Sequence, residues 1–390
     1  MKILFAGDLL FRYFKEYIGN EAVDRLFEGV KPAFDAADYR VINLEAIFNN
    51  GFEPIIKSGP AHYALTEYVY ALKAMNIDLA GLANNHTGDL GEEGVLYTME
   101  VLKQNGIAYA GAGRNLEEAY RAHVFEKDGI TVSVLAVCEN EYGIAKKDFA
   151  GSAGYKLGMV HRRITEEKAK GHQVVMYFHG GNEENPFPSP GKQELYRFFI
   201  DIGADAVIAM HTHCPQGYET YKDKPIIYSM GNFYFPYDPN INNEARTNPN
   251  SSFFFGYMTE LEFAEGEIGT KIIPYHFQND GVEILTGEKL AKFNAYMEKL
   301  CAPLDDEDEI QRLFEGWCMM LGIVYARHAN YSEEMMHDQI KVKNMKNAFT
   351  CEAHNELITA FMHLCYDLRT DDVAEYTQKI KDLMWIWIYD

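Results

Sequence analysis

The run QVVMYFHGGNEENPFPSPGKQELYRFFIDIGADAVIAMHTH, residues 173–213, holds two short apolar segments with an amphipathic one between them. The apolar segments are too short for helices and are bounded by polar and glycine-rich stretches, so they predict buried strands. Between them, Lys192 to Ile202 carries apolar residues at three- and four-residue spacing and stops at Gly203, which predicts a helix. Strand, helix, strand order predicts a largely parallel or mixed sheet covered by helices. Both strands end in histidine: His179 closes the first, and His211 and His213 follow the second.

The same grammar extends in both directions. KILFAGD, YRVINLE, DLAGLANNH, IAYAGAG, ITVSVLAVC and KPIIYSMGNF read as further strands, and Ala64 to Met75 and Glu92 to Asn105 as further helices. Ligand-type residues recur where these runs end: Asp8, Glu45, Asn85 with His86, His179, then His211 and His213. In open α/β sheets, sites gather outside the carboxyl ends of strands, so this placement predicts one functional centre.

The residue types fit one chemistry. Binuclear hydrolytic sites use a carboxylate to bridge two cations, with neutral imidazoles and an amide oxygen in the remaining positions. Asn85 and His86 offer an amide ligand and an imidazole acid on one turn. His211 and His213, two apart, would face the same side of an extended segment. Gly180 and Gly181 permit close backbone approach beside His179.

Composition narrows the function. Hydrophobic residues make up 47% and charged residues 24% of 390 residues, the balance of a globular chain with room for more than one unit. A formal charge of -22 disfavours nucleic acid and anionic membrane surfaces as partners. No window reaches the ~18 continuous apolar residues of a membrane span, and the first apolar run is interrupted by Asp8, so a cytoplasmic location is expected. The six cysteines show no C-x-x-C spacing and read as reduced thiols, with Cys214 beside His213 the one to watch.

The block from His179 to Phe235, with GDLLF, INLEA, LANNHTGDLGEEG and GIAYAGAG upstream, resembles the CapA-like poly-γ-glutamate capsule synthesis family over about residues 1–280. That family is similar to the calcineurin-type metallophosphoesterases. The resemblance implies a four-layer α/β/β/α sandwich and a divalent-metal site of one or two ions (Mn, Mg, Fe or Zn). It assigns Asp8 and His213 to one cation, Asn85, His179 and His211 to the other, Glu45 as the bridge, and His86 as proton donor to the leaving group. Two departures stand out: Leu10 occupies the place of the usual D-x-H histidine, and NLE replaces G-D-x-x-D.

Further residues are candidates for substrate contact or for support of the ligands: Glu183, Ser229, Asn232, Lys57 and Arg12. For Lys57 and Arg12 an ordinary surface role is favoured. PYDPNINNEARTNPNSS after Phe235 reads either as a lid or as a plain surface loop. FFFGYMTELEF and TKIIPYHF predict two strands closing a main domain of residues 1–285, and residues 286–390 a helical extension, with Asp305 to Glu309 as a solvated helix start. The expected function is hydrolysis or transfer at a phosphoryl or acyl centre of an anionic small molecule or polymer such as poly-γ-glutamate. The alternative is a non-catalytic polymer-binding or assembly factor working with capsule-synthesis proteins.

Overall fold

The computed structural model describes residues 1–11, 17–237, 243–329 and 333–389. Arg12 and the DPNIN portion of the Asn-rich loop lie outside the described residues. Two large sheets organise the chain. One has eight strands, running Gly281–Ile284, Ile268–Gln278, Phe255–Phe263, Lys2–Leu9, Tyr39–Leu44, Leu79–Gly81 and Ala108–Ala110, with Asn232–Tyr234 also paired to Lys2–Leu9. The other has six: Tyr218–Tyr221, Lys224–Ile227, Ala206–Met210, Gln173–His179, Ile130–Cys138 and His123–Lys127.

The eight-stranded sheet is parallel from Lys2–Leu9 out to its edge strand Ala108–Ala110 and antiparallel on its other side, and the six-stranded sheet is parallel at its centre and antiparallel at both rims. The parallel strands are fully buried along most of their length and read as continuous apolar runs, which is why the sequence marks them so clearly. The edge strands His123–Lys127 and Tyr218–Tyr221 alternate in burial and carry a weaker signal.

The two sheets pack against each other. Tyr177, from the centre of the six-stranded sheet, lies against Phe5 with ring centroids 5.9 Å apart and donates its hydroxyl to the Ala6 carbonyl at 3.3 Å. At the far end Tyr39 stacks on Phe125 at 4.3 Å. Helices lie against both sheets. Gly91–Gln104 buries Val95, Met99 and Leu102, one stripe at helical spacing. Pro190–Asp201 begins with Ser189 accepting the Lys192 N–H and buries Tyr196, Phe199 and Ile200, each large apolar chain contributing about 1.5–3 kcal/mol.

The helix expected at Ala64 to Met75 starts late. Tyr63–Leu65 is a strand paired with Ile47–Asn49, a 3-10 turn follows, and the α-helix spans only Val69–Ala74. Alternating exposure of Tyr63, Ala64 and Leu65 suits a pleated edge better than a helix face. After Ile284 the chain is helical: Gly287–Cys301, Glu307–Ala326, Gln339–Thr350, Glu352–Tyr366 and Ala374–Leu383. Asp306 caps the second of these by accepting the Glu309 N–H, the structural use of that acidic run. The described part of the Asn-rich loop clamps the C-terminal tail: Asn250 Oδ1 accepts the N–H groups of Ile388 and Tyr389 at 3.0 and 2.7 Å.

One local irregularity positions the first site residue. Ala6 pairs with Ile42 and Asp8 with Asn43, so Gly7 is an extra residue in the first strand. Such a bulge re-aims the side chain that follows it. A Cβ on Gly7 would sit 1.9 Å from the Gly231 carbonyl oxygen, a backbone atom that cannot swing aside. Gly7→Ala is therefore expected to lower stability by about 1–3 kcal/mol in denaturant unfolding. Gly158→Ala, where the new methyl meets nothing within 4 Å, is expected to leave it unchanged or slightly raised.

Candidate metal centre

Because both sheets are parallel in the middle, their carboxyl ends open on one edge, and the ligand-type residues meet there. Asp8, Glu45, His179, His211 and His213 are all at least 95% buried. They form two overlapping groups. In each, Asp8–Glu45–His213 and Glu45–His179–His211, the ligand atoms lie within 4.8 Å of one another, and Glu45 belongs to both.

Glu45 is the least satisfied of them. Neither carboxylate oxygen has a hydrogen-bond partner, although the residue is fully buried. Three imidazole nitrogens ring Oε1: His86 Nε2 at 3.8 Å, His213 Nε2 at 3.8 Å and His179 Nε2 at 4.0 Å. Without a cation, burial first, and then the charges of Asp8 and Glu183, push the Glu45 carboxyl well above its usual range. Those separations are too long for hydrogen bonds, but they suit groups facing one ion.

The other residues of the two groups are held more firmly. Asp8 Oδ1 accepts from Asn43 Nδ2 at 2.7 Å, and Oδ2 accepts the His211 backbone N–H at 3.1 Å. Burial alone would raise the Asp8 carboxyl; bonding and attraction to His179, and then the charge of His213, bring it below its usual value. His179 Nε2 lies 3.0 Å from both Asn85 Oδ1 and His211 Nδ1, so amide and two imidazoles point at one place. Asn232 Oδ1 sits 2.8 Å from His213 Nδ1 and orients that ring. Burial above all drives His213 down to about 4 and lowers His179. Neutral imidazoles are the form that ligates.

His211 and His213 do not lie on an extended segment as their spacing suggests. Their φ angles are 111° and 55°, left-handed values that non-glycine residues seldom adopt. Ser229 braces this turn: its hydroxyl lies 2.9 Å from Thr212 Oγ1 and donates to the Cys214 carbonyl at 3.1 Å. Cys214 is itself buried, donates to the Asn185 carbonyl, and is pushed up to about 12 by burial, so it is a packed thiol and not a nucleophile.

His86 sits in an Asp–His–Lys arrangement. Its Nδ1 lies 2.6 Å from Asp89 Oδ2 and 3.2 Å from Lys57 Nζ, while Lys57 pairs with Asp89 Oδ1 at 2.7 Å. His62 stacks on the imidazole with centroids 3.9 Å apart. Burial first, then the Lys57 charge, hold His86 well below its usual value. The surface role favoured for Lys57 is thus corrected: its side chain is only 4% exposed and belongs to the site. Asn43, His62 and Asp89 were not singled out in the sequence, although Asn43 and Asp89 each lie within four residues of a quoted ligand or acid.

A cleft of about 270 Å³ leads to the centre, with Lys57, Asn85, His86, Glu141 and Glu183 on one side. Glu183 is exposed to this cleft. Tyr325, His328, Asn344, Asn347 and His354 from the C-terminal helices form the other side. A larger cavity of about 870 Å³, bordered by Ala33, Ile273 and Leu290, holds none of the centre's residues. Among the described residues no helix is long and apolar enough to cross a membrane.

The chain is 29% identical over 246 residues to the capsule biosynthesis protein CapA of Bacillus anthracis, covering 59% of this chain and 58% of that protein. It is 29% identical over 238 residues to the PGA biosynthesis protein CapA of Bacillus subtilis strain 168, covering 59% and 62%. The match thus spans about three fifths of each of these relatives. The crystal structure of TT1561 of Thermus thermophilus aligns at a TM-score of 0.39 and 10% identity over 70% of this chain and 98% of that one, too remote to carry an argument. The model of the bacterial capsule synthesis protein PGA_cap family matches residues 2–237, well over half of the chain and every residue of the centre, and the protein belongs to that family.

Proposed function

We propose that the chain is a metal-dependent hydrolase or transferase of capsule biosynthesis, acting at a phosphoryl or acyl centre of an anionic substrate such as poly-γ-glutamate. The observation that carries the reading is Glu45: a fully buried carboxylate without a hydrogen-bond partner, shared by two sets of ligand atoms. A buried polar group left unpaired costs about 1–3 kcal/mol, and more when charged, a cost that a bridging cation removes. In this reading residues 1–285 form the catalytic unit, a four-layer α/β/β/α sandwich of the metallophosphoesterase kind, and residues 286–390 an extension that walls the cleft.

Asp8, Glu45 and His213 would hold one cation, and Glu45, Asn85, His179 and His211 a second. Divalent cations there supply Lewis-acid polarisation of a phosphoryl or carbonyl oxygen and lower the pKa of water. The chain's own part is proton handling and substrate placement. With Asp89 holding Nδ1, His86 keeps Nε2 turned to the centre, where it gives a proton to, or takes one from, the reacting oxygen or nitrogen. Lys57 holds Asp89 in place and adds positive charge beside an anionic substrate.

A second reading rests on Leu10, which is fully buried in the core where metallophosphoesterases carry a histidine. That leaves one cation set with only Asp8, Glu45 and His213, a weaker site that suits binding of polymer over its cleavage. Turnover separates the two. Assayed with added manganese on generic phosphodiesters and on γ-linked glutamyl polymers, the wild-type protein is expected to hydrolyse at least one class; inactivity on all of them at full metal loading favours the assembly role.

Two further outcomes test the centre itself. Manganese at a hundredfold excess over Kd is expected to stabilise the wild-type protein by about 2.7 kcal/mol in thermal unfolding, whereas Glu45→Gln is expected to show no such gain. Equal stabilisation of both would remove Glu45 from the site. On a substrate that is turned over, His86→Gln is expected to lower kcat by about 10²–10⁴ with metal content unchanged; an unaltered kcat would exclude His86 from proton transfer.

A further inference from the structure

A second cluster of ligand-type side chains lies where the C-terminal helices meet the loop after Ile130–Cys138. Glu141, Cys351 and His354 each present one donor atom, all within 4.8 Å of one another. The spacing has a local cause. Cys351 is the N-cap of helix Glu352–Tyr366 and His354 follows three residues later, so thiol and imidazole share one face of the first turn. Glu141 approaches from the other side of the junction.

A fourth group points into the same place. Asn347 is 7% exposed, its Nδ2 lies 3.2 Å from Glu141 Oε2 and 3.4 Å from His354 Nδ1, and its Oδ1 has no partner. A half-turn of that amide exchanges oxygen for nitrogen and aims the unpaired acceptor at Glu141 and His354. In that orientation the Glu141 carboxylate offers the amide oxygen no proton, and the oxygen either accepts from a His354 Nδ1–H or joins the other donor atoms around a cation.

We propose that Glu141, Cys351, His354 and Asn347 hold one zinc-class divalent ion that staples the C-terminal helices to the rim of the cleft. Thiolate and imidazole favour zinc over magnesium or manganese, which prefer all-oxygen sites. The ligand set is distinct from the Glu45 centre, though Glu141 Oε1 lies 4.0 Å from His211 Nε2. Three of its four residues lie beyond the part of the chain that matches the family model. Asn347 and His354 also line the cleft, so the ion fixes the wall opposite His86. The inference stands whether or not the Glu45 centre is catalytic.

Cobalt tests it, because the Glu45 centre contains no thiol. Metal-free full-length protein titrated with Co²⁺ is expected to develop a thiolate-to-cobalt charge-transfer band in the near ultraviolet that is lost in Cys351→Ser and retained in Cys214→Ser. Zinc-loaded His354→Ala is expected to hold one equivalent of zinc fewer than wild type. Absence of the band in cobalt-loaded wild type, its survival in Cys351→Ser, its loss in Cys214→Ser, or equal zinc content in wild type and His354→Ala would each overturn the proposal.

Discussion

Glu45 follows the strand Tyr39–Leu44 into a fully buried position where neither carboxylate oxygen is hydrogen-bonded and three imidazoles stand about 4 Å away. Much of the surrounding structure reads as a consequence of that constraint. Asp8 is aimed by a bulge at Gly7, His211 and His213 are held at left-handed φ, and Asn43, Asn85 and Asn232 are within hydrogen-bond reach of Asp8, His179 and His213 respectively. Backbone strain and unpaired polar atoms are costs that folded proteins tolerate where function over-determines the geometry.

The fold supplies this convergence through strand direction. Parallel strands at the centre of each sheet put their carboxyl ends on one edge, and face-to-face packing through Tyr177 and Phe5 brings the two edges together. Residues as far apart in sequence as Asp8 and His213 thereby meet. The C-terminal helices then lean over the opening, tied down by Glu352 to Asn140, by Glu356 to Ser189 and Gly191, and by the Ala353 N–H to Glu139. Glu139 also pairs with the buried Lys192, so the same carboxylate anchors both the helix Pro190–Asp201 and the extension.

Much of this was legible in the sequence because buried parallel strands leave continuous apolar runs, and the residue that ends each run is set off by contrast. That rule marked Asp8, Glu45, Asn85, His179 and His211 directly. Applied to the strand Ile130–Cys138 it would also have marked Glu139 and Glu141, which follow its last residue. Other features had no such signal. Lys57 read as a surface lysine because only tertiary packing pairs it with Asp89, and Asp89 lay hidden in a turn-forming TGDLG segment. The left-handed turn at His211 and His213 is invisible to spacing, since it is stabilised by Ser229 and Asn232 from another part of the chain. Nor did the helical character of residues after 286 disclose that they border the site, because a helix pattern does not state what its buried face covers.

The account depends on cations at Glu45, and anomalous scattering from manganese-soaked crystals tests that most directly. A peak about 2 Å from a Glu45 carboxylate oxygen, within coordinating reach of His213 or of His179 and His211, is the expected result. Well-ordered Glu45, Asp8 and histidine side chains with no anomalous peak among them at saturating manganese would contradict it.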